Sequence, residues 1–468
     1  MSSANRLRPE EVMPQTADRI IQNAHVVTFD EEARVFSDGA VAIKDGVIVG
    51  IGETSDVTAE WVSSERIHAA GDIVIPGLTD AHLHTAQSLM RGLLPTLAKS
   101  GALRVPTWRE YLVPFEANLT PEDVELSGML AYTAMLQTGT TAFFEAGGPH
   151  PDAMAAAAWR SGIRGSVSLS TMDGGDRIPA SMQMSTDEAI AENVALVERL
   201  PAAADGSTRV TAGMSLRQII TCSPELVSGI HREASARGVK VHTHLVEGTY
   251  EIDFALERFG RRPIDHLIEQ GVFDSALHGA HSILVDDQDI DAYARHGVSA
   301  AHCAKGNYSI GTPPALRMWR RGVSIGLGTD GVAGLGTLDL FRVAMLARVG
   351  QQHVEATPVH NRNGVRGEEI LGMAIVGGAR AMGIQDRVGT LQVGKRADIV
   401  VLRTDGPDAA AYASAEAFLY ECASGRDVRH VLVDGAVVVK DGEVLTADVS
   451  EIRARAAVRQ RELAALIG

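Results

Sequence analysis

Five residues constrain this chain more than any others, because each closes a run that reads as a short β-strand. They are His82 and His84 in PGLTDAHLHT, His244 in KVHTHLVE, His281 in LHGAHSI and Asp330 in VSIGLGTD. Residues i and i+2 of a strand point to the same face, so His82 and His84 would project together from the end of theirs. On its own His-x-His is a weak signal. Here it follows an apolar run and a Pro-Gly turn, and imidazole and carboxylate partners close later runs. Such a pattern suits an α/β barrel, whose strand C-termini gather side chains from distant parts of the chain at one mouth.

The stretch 76–385 reads as repeating strand and helix units. Strand candidates are DIVIPG, TTAFFEA, RGSVSLS, RVTAGMSL, KVHTHLV, SALHGAHSI, GVSAAHCA and VSIGLGTD. Helical stretches such as PEDVELSGMLAYTAMLQ, SPELVSGIHREASARG and TLDLFRVAMLARVG lie between them,. Thr120 ahead of Pro121-Glu122-Asp123 predicts an N-cap with an acidic first turn,. The expected fold class is α/β, a (β/α)8 TIM-type barrel. The two ends read differently. Residues 19–75 alternate β-like runs with turns, and Asp45-Gly46 between Val/Ile-rich runs is a hairpin signal,. The idiom returns in VRHVLVDGAVVVKDGEVL, with Asp434-Gly435 and Asp441-Gly442 at the turns. The expected organisation is a small β-sandwich built from 1–75 and 386–468, with the barrel inserted at 76–385. A last helix, SEIRARAAVRQRELAAL, is expected to pack on the sandwich or on a neighbouring subunit.

Composition narrows the partners. Lys and Arg number 43 against 59 Asp and Glu, a formal charge of −16, which argues against nucleic acid or an anionic membrane as the main partner,. No run approaches the roughly 18 apolar residues of a membrane helix, and MSSANRLRPEEVMPQ lacks the apolar core of a secretory signal,. Cys222, Cys303 and Cys422 form neither a disulfide framework nor a clustered zinc site,. These features point to a cytoplasmic protein acting on a small molecule.

Three imidazoles and a carboxylate suit one divalent ion, zinc first and iron or cobalt as alternatives, with a position left for water. A metal there brings the pKa of its water from 15.7 towards roughly 7. Glu247, three residues past His244, fits a proton shuttle,. His281 would stabilise a developing oxyanion or orient the water, and Asp330 could both ligate and accept a proton. Glu145, closing TTAFFEA, reads as a further carboxylate ligand or as a pocket or structural residue.

Beyond these residues, whole segments match a known pattern: IPGLTDAHLHTAQSLMRG, TTAFFE, HTHLVE, AHSILV, LGTDG followed by LDLF, and GTLQVGKRADIVVL. The chain resembles the amidohydrolase superfamily, in the branch of cytosine/guanine deaminase-like enzymes and atrazine/triazine chlorohydrolases. The resemblance implies a mononuclear metal on His82, His84, His244 and Asp330, catalytic roles for Glu247 and His281, and a homo-oligomer. Two-metal relatives bridge their ions with a carboxylated lysine on a middle strand, and no lysine occurs between Lys99 and Lys240.

Gln87 and Arg217 resemble positions that grip the base in guanine-deaminase-like enzymes. Together an amide and a guanidinium can read a flat lactam or urea edge, although an Arg at a strand end also commonly pairs with an acidic neighbour. Trp108, in TWREYLVPFE, corresponds to a loop that covers the pocket. Other positions depart from the pattern. His302-Cys303-Ala304-Lys305-Gly306-Asn307 stands where His-x-Pro-x-Ser-Asn is usual, with Asn307 the candidate substrate contact, and GVAGLGTLDL replaces a Ser-Asn pair after Asp330. The HAxY-type motif of adenosyl-homocysteine deaminases is absent. Two reactions therefore stay open. Hydroxide could attack an sp² ring carbon of a nitrogen heterocycle and expel ammonia or halide. The same machinery could cleave an N-substituted urea, carbamate, thiocarbamate or amide, as phenylurea and molinate hydrolases do on this scaffold.

Overall fold

A computed structural model describes residues 13–99, 101, 103–201 and 208–465. Residues 1–12 and 466–468, the latter including the end of the expected last helix, lie outside the described residues. The two ends of the chain meet in one nine-stranded sheet. Its N-terminal members are β1 (Arg19–Val27), β2 (Val35–Lys44), β3 (Val47–Glu53), β4 (Glu65–His68) and β5 (Ile73–Pro76).

Parallel strands follow: β6 (Leu78–Leu83), β7 (Thr140–Glu145), β8 (Arg164–Val167), β9 (Val210–Ala212), β10 (Met214–Leu216), β11 (Val241–Leu245), β12 (Leu277–His281), β13 (Ser299–His302) and β14 (Ile325–Leu327). The chain then returns to the terminal sheet with β15 (Ile399–Leu402), β16 (Val428–Val433), β17 (Ala436–Lys440) and β18 (Glu443–Val444). The longer helices are α1 (Pro121–Gln137), α2 (Pro151–Ser161), α3 (Thr186–Arg199), α4 (Pro224–Arg237), α5 (Thr249–Phe259), α6 (Asp287–His296), α7 (Leu340–Gln351) and α8 (Val449–Ala464).

Turn chemistry sets the terminal sheet. Asp45 and Gly46 (φ 51° and 74°), Asp434 and Gly435 (50° and 75°), and Asp441 and Gly442 (50° and 83°) all take the left-handed conformation that a tight hairpin demands,. Strand β15 pairs antiparallel with both β5 and β16, so the C-terminal segment completes the sheet that the N-terminal one begins. Ile21, Val41, Ile43, Val74, Ile399 and Leu432 form its own buried core. The expected sandwich is thus seen as a single mixed sheet from both termini.

The parallel strands form a four-stranded sheet, β9-β8-β7-β6, and a five-stranded one, β10-β11-β12-β13-β14. One stretch joins them at Gly213. Its N–H reaches Val167 O of β8 (3.0 Å), while the next N–H, of Met214, reaches Lys240 O beside β11 (3.0 Å). The predicted single strand RVTAGMSL is therefore split, because the chain changes partner there. No hydrogen-bonded ladder runs between β14 and β6 among the described residues. The two edges nevertheless touch. Asp330 N–H donates to His82 O (2.8 Å), and the Thr329 N–H (3.0 Å) and hydroxyl both donate to Asp80. Gly328 permits the approach, since a Cβ there would lie 2.8 Å from His82 Cβ and 2.9 Å from Cys303 Sγ.

Two expectations need correction. IVIP is not the first parallel strand; it is β5 of the terminal sheet, and His82 belongs to β6, which begins after Gly77. The terminal helix α8 docks on α1, not on the terminal sheet, through a bidentate pair of Arg459 with Asp123 (2.7 and 2.9 Å). Helix α1 itself starts where expected, with Thr120 and Asp123 in a reciprocal capping box,. Among the described residues no helix is long and apolar enough to cross a membrane.

Arg164 ties the two parts together. Buried on β8, it grips Asp398 through Nε (2.8 Å) and Nη2 (3.0 Å) and also reaches Asp434. Removing one partner of such a buried pair leaves an uncompensated charge. Asp398→Ala should therefore lower unfolding stability by about 3–5 kcal/mol in a denaturant melt, and an unchanged melt would show that this pair does not join the two sheets.

Candidate metal centre

Inward-facing residues of parallel strands build the site. On β11, His242 and His244 share a face, and the register sets His242 beside His278 and His244 beside Ala280,. His82 projects from β6 and His84 lies just beyond its end, while Asp330 follows β14. The structure brings these together. His84 Nε2 and His244 Nε2 are 3.1 Å apart, and Asp330 Oδ1 lies 3.5 Å from His82 Nε2 and 3.7 Å from His84 Nε2. One ligand atom from each of His82, His84 and His244 falls in a common cluster, as does one from each of His82, His281 and Asp330.

The residues fit a divalent cation. Ligands bonded at about 2.1 Å to a four-coordinate ion sit about 3.4 Å from one another, and the distances here run from 3.1 to 3.7 Å. Burial pushes the pKa values of His82, His84 and His244 down, so their nitrogens keep free lone pairs. His82 Nε2 is buried with no hydrogen-bond partner among the described residues. Burial alone would raise the Asp330 carboxyl, but the imidazoles of His82, His281 and His84 that face it hold it well below the usual range. A cluster of unprotonated nitrogens around an ionised carboxylate is a cation site in waiting. His244 is oriented from behind by Arg217 O, which accepts from Nδ1 (2.8 Å), the kind of support that metal-binding histidines usually have,. Asp330 (φ 57°) and His281 (φ 73°) both sit in the left-handed region, a strain that functional sites tolerate when the surroundings impose it,.

Glu247 stands beside the cluster. Gln218 Nε2 (2.8 Å) and Tyr250 OH (2.6 Å) both donate to its Oε2, which leaves Oε1 to the pocket. Trp108 is buried in the same wall, packed with Met172, Met182 and Tyr250. Asn307 lies behind His281. Its Nδ2 donates to His281 O (3.1 Å), so Oδ1 accepts from His281 Nδ1 (3.0 Å), and Nδ2 also meets His302 Nδ1 (3.2 Å). The expected substrate contact at Asn307 therefore has its amide committed to two histidines. Gln87 and Arg217 do come together, through a residue that sequence reasoning missed. Buried Glu116 accepts from Gln87 Nε2 (2.7 Å) and Arg217 Nη1 (3.4 Å). Among the described residues Gln87 Oε1 and Arg217 Nε have no hydrogen-bond partners, and Gln87 Oε1 packs against Gly331, next to Asp330.

Glu145 is not in either ligand group. It accepts from the backbone and hydroxyl of Thr85 and so secures the chain leaving β6. Gln218, Tyr250 and Glu116 had no sequence signal of their own; Tyr250 only follows Glu247 by three positions.

Water activation by a cation, with a carboxylate placed to move protons, makes the chain a metal-dependent hydrolase. Comparison with known proteins narrows the class. Residues 73–438 match the amidohydrolase family. The 5-methylthioadenosine/S-adenosylhomocysteine deaminase of Syntrophobacter fumaroxidans is 32% identical over 446 residues, 94% of this chain and 97% of its own length. The 5'-deoxyadenosine deaminase of Methanosarcina acetivorans is 32% identical over 455 residues, covering 96% and 99%. An adenosine deaminase from Xanthomonas campestris, solved with bound zinc, has a TM-score of 0.88 at 26% identity, covering 97% of this chain and 100% of that one. The chain belongs to the amidohydrolase family, hydrolases of carbon–nitrogen bonds other than peptide bonds.

Two outcomes follow from this geometry. His82→Ala should lose its metal on gel filtration, and full occupancy would remove His82 from the ligand set. Glu145 has its pKa raised by burial from 4.5 to about 8, despite the Thr85 hydrogen bonds. The folded protein thus holds a proton that the unfolded chain releases, and the associated stability, complete below pH 4.5, is lost as pH rises through about 8,. Between about pH 5 and about pH 9, wild type should lose more melting temperature than Glu145→Gln. Parallel losses would contradict the assignment.

Proposed function

We propose that the protein is a zinc-dependent deaminase of a purine-type heterocycle, which replaces an exocyclic amino group by oxygen and releases ammonia. The observation that carries the reading is the convergence of His82, His84, His244 and Asp330 beside Glu247 and His281. The near full-length similarity to deaminases of adenosine derivatives supports the choice of substrate class.

These four residues would hold one divalent ion per subunit, zinc in preference to iron or cobalt, which when bound brings water within reach of deprotonation near neutral pH. Glu247 takes one proton of the attacking water at Oε1 and passes it to a ring nitrogen, where it stays as the lactam N–H, and then carries to the departing amine the proton that Asp330 has received. His281, with Nδ1–H held by Asn307, presents Nε2 to the reacting centre, where in its protonated form it donates to the developing charge. Asp330 receives the second proton of the water. One C–O bond forms and one C–N bond breaks, so water and the amine become the lactam and ammonia. Gln87 Oε1 and Arg217 Nε, the polar atoms left unpaired beside Glu116, read the edge of the flat ring. Trp108 closes the pocket wall against Tyr250.

On the same reading the two parallel sheets close into one (β/α)8 barrel over 76–385. Segments 1–75 and 386–468 then make the smaller sandwich domain of a cytoplasmic homo-oligomer.

The test is turnover of metal-replete enzyme in ¹⁸O-labelled water, with aminopurines and their nucleosides set beside triazines, phenylureas, carbamates and thiocarbamates. An intact ring carrying labelled oxygen in place of its amino group is the expected product. Release of a free organic amine, with label in the carbonyl fragment, would move the enzyme to urea or carbamate hydrolysis. Glu247→Gln should retain metal and lose at least about 100-fold in kcat; full turnover by a metal-replete sample would remove Glu247 from the mechanism.

A further inference from the structure

Beneath the ligand cluster lies a second layer of buried imidazoles that the reaction does not use. His242, His278 and Phe144 fill the interior one step deeper than His82 and His244, and both histidines are fully buried. His82 Nδ1 lies 2.8 Å from His242 Nε2. We propose that His242 is a positioning residue for the metal centre: it accepts the Nδ1 proton of His82 and so keeps the Nε2 lone pair of His82 directed at the cation. The proposal rests on His82 being a ligand through Nε2.

The proton positions follow from that one condition. A nitrogen that ligates a metal carries no proton, so neutral His82 has its proton on Nδ1. Among the described residues the atom placed to receive it is His242 Nε2, and neutral His242 must then carry its own proton on Nδ1. The structure agrees, because His242 Nδ1 is buried and makes no hydrogen bond among the described residues; the ring's polar contact is with His82 alone.

The ring of His242 is held in place by its neighbours. Phe144 packs on it with centroids 4.5 Å apart, and His278 meets it edge-on at 4.6 Å and 89°. His278 is itself pinned at both nitrogens. Ala81 O can only accept, so His278 Nε2 donates to it (3.0 Å), and Nδ1 accepts from Ser299 Oγ (2.9 Å). A turned His242 would set a C–H against His82 Nδ1 and leave that buried N–H without an acceptor. Two of the three ligand histidines thus have supports of different kinds, His242 behind His82 and the Arg217 carbonyl behind His244, while His84 Nδ1 has no hydrogen-bond partner among the described residues.

Two substitutions separate positioning from packing. His242→Met keeps volume and removes the acceptor, whereas His242→Gln keeps an acceptor near the place of Nε2. Metal-free protein is titrated with zinc against a chromogenic chelator, and the cobalt(II) form is followed by its visible spectrum. We expect His242→Met to bind zinc about 10–100-fold more weakly with altered cobalt bands, and His242→Gln to recover most of that loss and the wild-type bands. Equal zinc affinity and an unchanged cobalt spectrum in His242→Met would overturn the proposal. If His242→Met does not fold, ¹⁵N-histidine NMR of zinc-loaded wild type decides. It should show His242 protonated at Nδ1 and bare at Nε2, and a proton on Nε2 would overturn the assignment. Wild type that takes up no metal would instead overturn the metal centre itself.

Discussion

Lone pairs with no proton to share dominate this molecule. His84 Nε2 and His244 Nε2 face each other at 3.1 Å, and His82 Nε2 points towards the Asp330 carboxylate, with the three imidazoles buried and the carboxylate partly open to solvent. Burial opposes charging the imidazoles, and Asp330 stays negative, so protons cannot relieve the crowding. A divalent cation can. The arrangement is costly without one, and the surrounding structure is built to impose it.

That imposition comes from several directions. Asp80, pushed up to about 7 by burial, receives Thr329 and the His82 N–H and so locks the edge of β6 to the end of β14. Gly328 lets the two edges approach, and Asp330 turns towards the cluster only by adopting a left-handed backbone. Asn307 fixes the orientation of the His281 ring, while Gln218 and Tyr250 do the same for the oxygens of Glu247. On the proposed reading each reacting group is aimed by a residue that does not itself react, which is the condition for electrostatic catalysis without reorganisation.

The clustered side chains were legible in the sequence because strand periodicity and strand ends leave a local mark: His82 and His84 two apart, and His244, His281 and Asp330 each closing an apolar run. Helix α1 was legible to the residue, since capping and the acidic first turn are local as well. What failed was partnership. IVIPGLTDAHLHT reads as one run, yet Gly77 divides it between two sheets, because β5 finds its partner in β15, more than 300 residues on. The same limit hid the supports of the site. Glu116 meets Arg217, and His242 meets His82, across stretches of chain that carry no pairing signal. Asn307 was noticed for a motif position, as a candidate substrate contact, and its hydrogen bonds to His281 are visible only once the chain is folded.

The central claim is that His82, His84, His244 and Asp330 share one cation. Anomalous diffraction from crystals of the zinc-loaded protein, recorded on both sides of the zinc edge, tests it most directly. One peak within about 2.0–2.2 Å of three imidazole nitrogens and an Asp330 oxygen is the predicted result. A peak held by other residues, or an ordered and empty cluster in zinc-saturated crystals, would contradict it.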